Sequence, residues 1–118
     1  MRMNLDIHAK KIDKAIIEKV VIYSINKLQL NRLRKLDIKI ICKPYQEMHG
    51  WVTQDEPRQF TIGVASNYNT IRDFVGTIAH EMTHIKQYIR NETSEEEEQL
   101  ADLWAEKIAN DMWDKNLI

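Results

Sequence analysis

Two histidines four residues apart, inside a stretch with helical periodicity, constrain this chain more than any other feature. They belong to the string His-Glu-x-x-His over residues 80–84. Residues four apart on a helix stand on the same face, so His80 and His84 can direct both imidazoles at one point. Two ligands of a tetrahedral zinc ion need this arrangement. Glu81 lies beside that point, where a general base can take a proton from water held by a metal.

The sequence also marks the limits of the helix that carries this motif. Thr70, followed by Asp73 three residues later, resembles a capping box, and Asn91 is a typical C-cap. We therefore predict a helix over about residues 71–90, in which Gly76 is expected to admit a close neighbour. Its apolar stripe comprises Phe74, Val75, Ile78, Met82, Ile85 and Ile89. The motif residues lie at the edge of this stripe, so we expect them to face a cleft.

Glutamates are the candidates for a third metal ligand. A catalytic zinc ion takes three protein ligands and keeps the fourth position for water. No histidine follows His84, but Glu95, Glu96, Glu97 and Glu98 lie in a row at the start of the last predicted helix. All four remain candidates here, although acidic residues in a first helical turn also stabilise the helix dipole.

Glu98 is the favoured ligand for a geometric reason. Glu98 and Asp102 share one helix face with two alanines, because the four residues are spaced three and four apart. The alanines let this helix approach the central helix closely, which brings Glu98 within reach of the metal. Asp102 is predicted to accept a hydrogen bond from the far nitrogen of a ligating histidine. Glu95 lies on a similar face and is the reserve candidate.

The remaining segments predict an α+β fold in a single domain over residues 1–118. The expected elements are an N-terminal amphipathic helix at about residues 9–29, strands at 36–42 and 60–65, a short candidate strand at 51–53, and a C-terminal helix at about 94–114. This is a small sheet of about three strands. Ser94 and Glu97 form the capping box of the last helix. Gly63 indicates a bulge or a close backbone approach within its strand.

Composition excludes several classes of protein. No run approaches the roughly 18 to 20 apolar residues that cross a membrane, and the N-terminus lacks the apolar core of a signal peptide. If the chain is complete, we expect it to be cytoplasmic. A single cysteine, Cys42, excludes an internal disulfide and any Cys-x-x-Cys metal site. Its isoleucine neighbours indicate a reduced residue of the core.

Charge is distributed unevenly along the chain. Residues 1–59 carry 12 Lys and Arg against 7 Asp and Glu, whereas residues 60–118 carry 5 against 11. The basic excess is strongest from Lys27 to Lys43, where no aromatic residue accompanies the charges. We interpret this segment as a solvated surface and do not predict nucleic-acid binding.

The two motifs together resemble a known family. The His80–His84 motif followed by Glu98-x-x-Ala101-Asp102 resembles the gluzincin branch of zinc metallopeptidases, in which a second helix completes the site. The same second segment is similar to that of small ImmA-type metallopeptidases. The order of helix, strands, motif helix and closing helix suggests the SprT-like minimal zincins, whose third ligand is a further histidine that this chain lacks. The resemblance covers about residues 60–108. It implies a minimal zincin-like domain in which the strand at 60–65 is the edge that pairs with an extended peptide.

These features predict a zinc-dependent metallopeptidase that hydrolyses a peptide or protein substrate. His80, His84 and Glu98 would hold Zn²⁺, and Glu81 would act as general base and return the proton to the leaving amine. Tyr88, one turn beyond His84, is the candidate oxyanion donor. Further candidates for that role are Tyr68, Tyr45 and His49.

Two alternatives from other classes stay open. The chain could be a catalytically inactive zincin-fold interaction protein with structural zinc or none. It could also be a nucleic-acid-associated protein that uses the basic first half. An intact Glu81 favours the peptidase, because a structural site has no use for a base beside the metal. The substrate and the oligomeric state are not defined by the sequence.

Overall fold

The computed structural model describes residues 1–45, 48–91 and 96–118. In this part of the chain the fold is α+β, with a four-stranded mixed sheet and three helices. In chain order the elements are β1 (Arg2–His8), α1 (Lys11–Lys27), a short 3₁₀ turn (Leu30–Arg32), β2 (Lys35–Lys43), β3 (Gly50–Glu56), β4 (Gln59–Ala65), α2 (Ile71–Arg90) and α3 (Glu97–Asp114). None of the helices in the described ranges is long and apolar enough to cross a membrane.

The sheet contains one strand more than the three that the sequence predicted. The strand order is β1-β2-β4-β3; β1, β2 and β4 are parallel, and β3 runs antiparallel to β4. The missed strand is β1. Its half-buried residues Met3, Leu5 and Ile7 alternate with exposed polar ones, which is the period-two pattern of a strand packed on one side.

The prediction that residues 60–65 form the substrate-pairing edge was wrong. These residues belong to β4, which is hydrogen-bonded to β2 on one side and to β3 on the other. β2 pairs in parallel with β4 and not with β3, which lies between them in sequence. The local sequence does not indicate this strand order. The edge next to β4 is therefore β3.

The hydrophobic core lies between one face of the sheet and the helices. The central strands bury Leu36, Ile38 and Ile40 from β2 and Phe60, Ile62 and Val64 from β4. The apolar stripe of α2 is buried against them as predicted, apart from a partly buried Ile89. α3 packs chiefly on α2, so the motif face of α2 is turned toward α3.

The observed limits of α2 match the prediction, because its stop signals are local. The Asp73 backbone N–H donates to Thr70 Oγ1 over 3.1 Å, and Asn91 ends the helix with a left-handed φ of 54°. α3 begins at Glu97, and the predicted capping residue Ser94 lies outside the described residues.

The neighbour at Gly63 is an indole ring, whereas the sequence predicted a bulge or a close backbone approach. Trp51 faces Gly63 across the β3–β4 pair, and a Cβ at Gly63 would overlap the Trp51 ring. Glycine thus leaves room for a large aromatic side chain on the sheet surface.

Candidate metal centre and cleft

α2 brings the two motif histidines together at one point. His80 and His84 are one turn apart, and their Nε2 atoms lie 3.0 Å from each other. The rings stand nearly perpendicular, with centroids 4.7 Å apart. Both rings therefore present the same nitrogen to a shared position at the α2–α3 interface.

Glu98 of α3 completes the group. Glu98 Oε1 lies 2.9 Å from His84 Nε2, and Glu98 Oε2 lies 3.2 Å from His80 Nε2. One ligand atom from each of the three residues lies within 4.8 Å of the others. Zinc–ligand distances of about 2.0–2.1 Å place tetrahedral ligands about 3.3 Å apart, so these separations suit one ion. The structure thus brings together the three residues that the sequence selected.

The other glutamates of the run do not join this group in the described residues. Glu97 contacts the far side of His84, with Oε1 3.5 Å from Nδ1. Glu96 is the N-cap position of α3 and makes no side-chain cap bond. Glu95, the reserve candidate, lies outside the described residues.

The outer nitrogens of both histidines face oxygen acceptors. His80 Nδ1 lies 3.0 Å from Asp102 Oδ1, which places Asp102 where the sequence analysis expected it. His84 Nδ1 donates to Gln87 Oε1 over 2.7 Å. Because Nδ1 is the donor in both rings, each neutral ring turns an Nε2 lone pair inward. Three electron-rich groups then converge, an arrangement that fits a bound cation.

Gln87 is a site residue that sequence reasoning missed. Only 4% of it is exposed, and its Nε2 donates to the Glu97 backbone carbonyl over 3.0 Å. Its signal was a polar residue three positions after His84, on the same helix face. That signal could not reveal the contact with Glu97, which lies at the start of another helix.

Glu81 is buried directly beside the histidines. It is 6% exposed and has no hydrogen-bond partner among the described residues. Burial raises the pKa of Glu81 to about 7; His84 lowers it and Glu98 raises it by smaller amounts. A carboxyl group with such a pKa can both accept and release a proton near neutrality.

Gly50, the first residue of β3, explains how the sheet comes so close to Glu81. A Cβ at Gly50 would lie 2.7 Å from Thr77 Cγ2 and 3.4 Å from Glu81 Cγ. The absence of a side chain lets the edge strand approach the motif helix. This packing role was not recognised from the sequence.

A cleft of about 1080 Å³ opens beside Glu81 and His80. It runs along α2 and α3 toward the connection between β4 and α2. Its lining includes His49, Gly50, Tyr68, Asp73, Gly76, Thr77, Asp102, Ala105, Glu106, Ala109, Asn110 and Trp113. The expectation of a close neighbour at Gly76 was wrong, because a Cβ there would have no atom of the described residues within 4 Å.

The candidate oxyanion donors fall in different places. Tyr88 does not line the cleft; its ring packs against Phe60 with centroids 6.1 Å apart. His49 and Tyr68 do line the cleft. Tyr45 is likewise absent from the cleft lining. Of the four, His49 adjoins Gly50 and so lies beside the strand end that meets Glu81.

Cys42 is not a candidate nucleophile. It is partly buried against the core, and burial, with a further contribution from Asp13, raises the pKa of its thiol to about 11. A thiol with this pKa stays protonated at neutral pH.

Comparison of the chain with protein-family models, curated proteins and solved structures finds no match.

Proposed function

We propose that this chain is a zinc-dependent metallopeptidase built on a minimal zincin-like domain of the gluzincin type. The observation that carries the proposal is the convergence of His80, His84 and Glu98 beside an open cleft that His80 and the buried Glu81 line. A catalytic site has three protein ligands and an open position, whereas a structural zinc site is closed by four. This difference favours an enzyme over an interaction protein with structural zinc.

Each residue of the site would have a separate chemical role. Zinc at this position would activate a water molecule and polarise the scissile carbonyl. Glu81 would take the proton from that water and pass it to the leaving amine. Asp102 and Gln87 would hold His80 and His84 in the tautomer that binds metal.

The edge strand β3 is the surface on which an extended substrate would pair. One side of β3 is bonded to β4, and Gly50 at its start adjoins Glu81. A peptide added along the other side of β3 would pass the metal centre with its backbone held by strand hydrogen bonds. His49 is the better-placed candidate for stabilising the oxyanion, because it lines the cleft and Tyr88 does not.

Metal analysis combined with a cleavage assay tests this function. Purified protein should bind about one zinc ion per chain and cleave members of a peptide library. Glu81→Gln should keep the metal but lower turnover by about 10²- to 10⁴-fold, because it removes the base and leaves the ligands. A chain that binds no zinc, or a Glu81→Gln variant that cleaves like the wild type, would contradict the proposal.

A further inference from the structure

We propose that the cleft beside Glu81 receives a lysine or arginine side chain of the substrate, next to the scissile bond. This inference rests on the proposed peptidase function and names the residue class that the same site selects. It draws on the shape of the cleft floor, on the charges of its rim and on the buried carboxylate at its inner end.

The floor of the cleft is open at a glycine that the stability of its helix does not explain. Gly76 lies inside α2, where glycine destabilises a helix relative to alanine, and nothing lies within 4 Å of its would-be Cβ. Ala105 and Ala109 of α3 line the same cleft. These three small residues leave an apolar trough one turn from His80, wide enough for the methylene stem of a long side chain.

The rim of the trough carries two available carboxylates. Asp73 of α2 and Glu106 of α3 line the cleft, and within the described ranges neither forms an ion pair. Glu106 lies one turn, about 6 Å, beyond Asp102, which is bonded to His80. A cationic group at the end of an extended side chain would reach this depth from a backbone bound at the metal.

The cationic residue of the lining does not neutralise these carboxylates by a direct contact. The Arg72 guanidinium donates to Asn110 Oδ1 and lies over the Trp113 ring, 5.5 Å from its centroid. These contacts hold Arg72 at the far end of the cleft, eight residues before His80. An acidic substrate side chain would instead meet Asp73 and Glu106, and like charges repel it.

The inner end of the cleft itself indicates a ligand site. Glu81 lines the cleft, is more than nine-tenths buried and has no hydrogen-bond partner among the described residues. Its carboxylate oxygens reach the cleft, where they can meet a bound group. The trough and its acidic rim are therefore continuous with the position of Glu81, where we expect the substrate backbone to bind.

Binding of matched peptides tests this inference separately from catalysis. Two acetylated, amidated peptides that differ only in lysine or norleucine at one position would be titrated into the full chain carrying Glu81→Gln. We expect the lysine peptide to bind about fivefold more tightly, with the difference shrinking in 0.5 M salt. Amide NMR shifts should map the bound lysine to Gly76 and Ala105.

Variants identify the residues responsible. In the same background, Glu106→Gln and Asp73→Asn should each lower the lysine-to-norleucine ratio to about twofold. Glu18→Gln makes the same change on the exposed face of α1 and should leave the ratio unaltered. Gly76→Ala should raise the melting temperature by about 3–5 °C yet weaken binding of the lysine peptide, because it fills the trough.

The outcomes separate the two proposals. Equal affinity for the two peptides, no binding of either, or an unchanged ratio in both acidic variants would overturn the inference. Failure of the wild-type chain to hydrolyse any peptide, with the lysine preference intact, would contradict the peptidase function and leave the cationic subsite standing. Hydrolysis without a preference for lysine or arginine would support the peptidase function and contradict the cationic subsite.

Discussion

Gln87 makes two hydrogen bonds at the candidate metal centre with the two ends of one amide. Its carbonyl oxygen accepts a hydrogen bond from His84 Nδ1, and its nitrogen donates to the Glu97 carbonyl, one residue before the proposed ligand Glu98. The same side chain therefore sets the orientation of one ligand and the position of the segment that supplies another. Residues behind metal ligands commonly change affinity when they are removed.

Replacement of Gln87 should weaken metal binding without removing a ligand. We expect Gln87→Leu to lower zinc affinity by about 10- to 100-fold, measured by competition with a chromophoric chelator. Gln87→Glu still accepts a hydrogen bond from His84 but cannot donate one to Glu97. Its zinc affinity should therefore lie between those of Gln87→Leu and the wild type. Gln99→Leu, the same change at an exposed position of α3, is the control. Wild-type affinity in Gln87→Leu would show that the amide does not position His84.

At the scale of elements, the approach of β3 to α2 depends on Gly50. A methyl group there would lie 2.7 Å from Thr77 Cγ2 and 3.2 Å from the Gly63 carbonyl oxygen, so strand and helix would have to separate. Gly50→Ala should therefore lower the free energy of unfolding by about 1–3 kcal/mol, as measured by urea denaturation. Gly76→Ala is the matched comparison, since its methyl group enters open space and should stabilise α2 by about 0.5–1 kcal/mol. Equal stability of both variants would mean that Gly50 is not a packing constraint.

The elements that sequence predicted well are those whose signals are local. α2 was predicted over residues 71–90 because the apolar stripe lies within the helix and the cap residues adjoin its two ends. Glu98 and Asp102 were predicted because both motifs are helical and share a face. In each case the spacing of a few residues determines where a side chain points.

The features that sequence did not predict depend on distant partners. β4 was taken as an edge because nothing in its own residues records that β2 and β3 flank it. Gly50 and Gln87 matter through Thr77 and Glu97, and those contacts exist only once the elements pack. Gly63 was marked as a close approach, but the identity of its neighbour, Trp51, required the register of the hairpin.

At the scale of the whole molecule, the candidate metal centre lies between two helices that residues 91–96 connect in sequence. Two candidate ligands come from α2 and one from the start of α3, so a bound ion would tie the acidic end of α3 to the motif helix. Metal binding and folding stability should therefore be linked.

Zinc should raise the thermal stability of the chain, and Glu98 should control the effect. A ligand that binds only the folded state stabilises it by about 4 kcal/mol at a thousandfold excess over Kd. Glu98→Ala should greatly reduce the zinc-dependent rise in melting temperature, whereas Glu18→Ala, on the exposed face of α1, should retain it. The rise should also diminish as the pH is lowered, because protons compete with the metal for imidazole nitrogens. Calorimetry with and without zinc measures all three effects. A Glu98→Ala variant that zinc stabilises as strongly as the wild type would show that α3 does not supply the third ligand through Glu98.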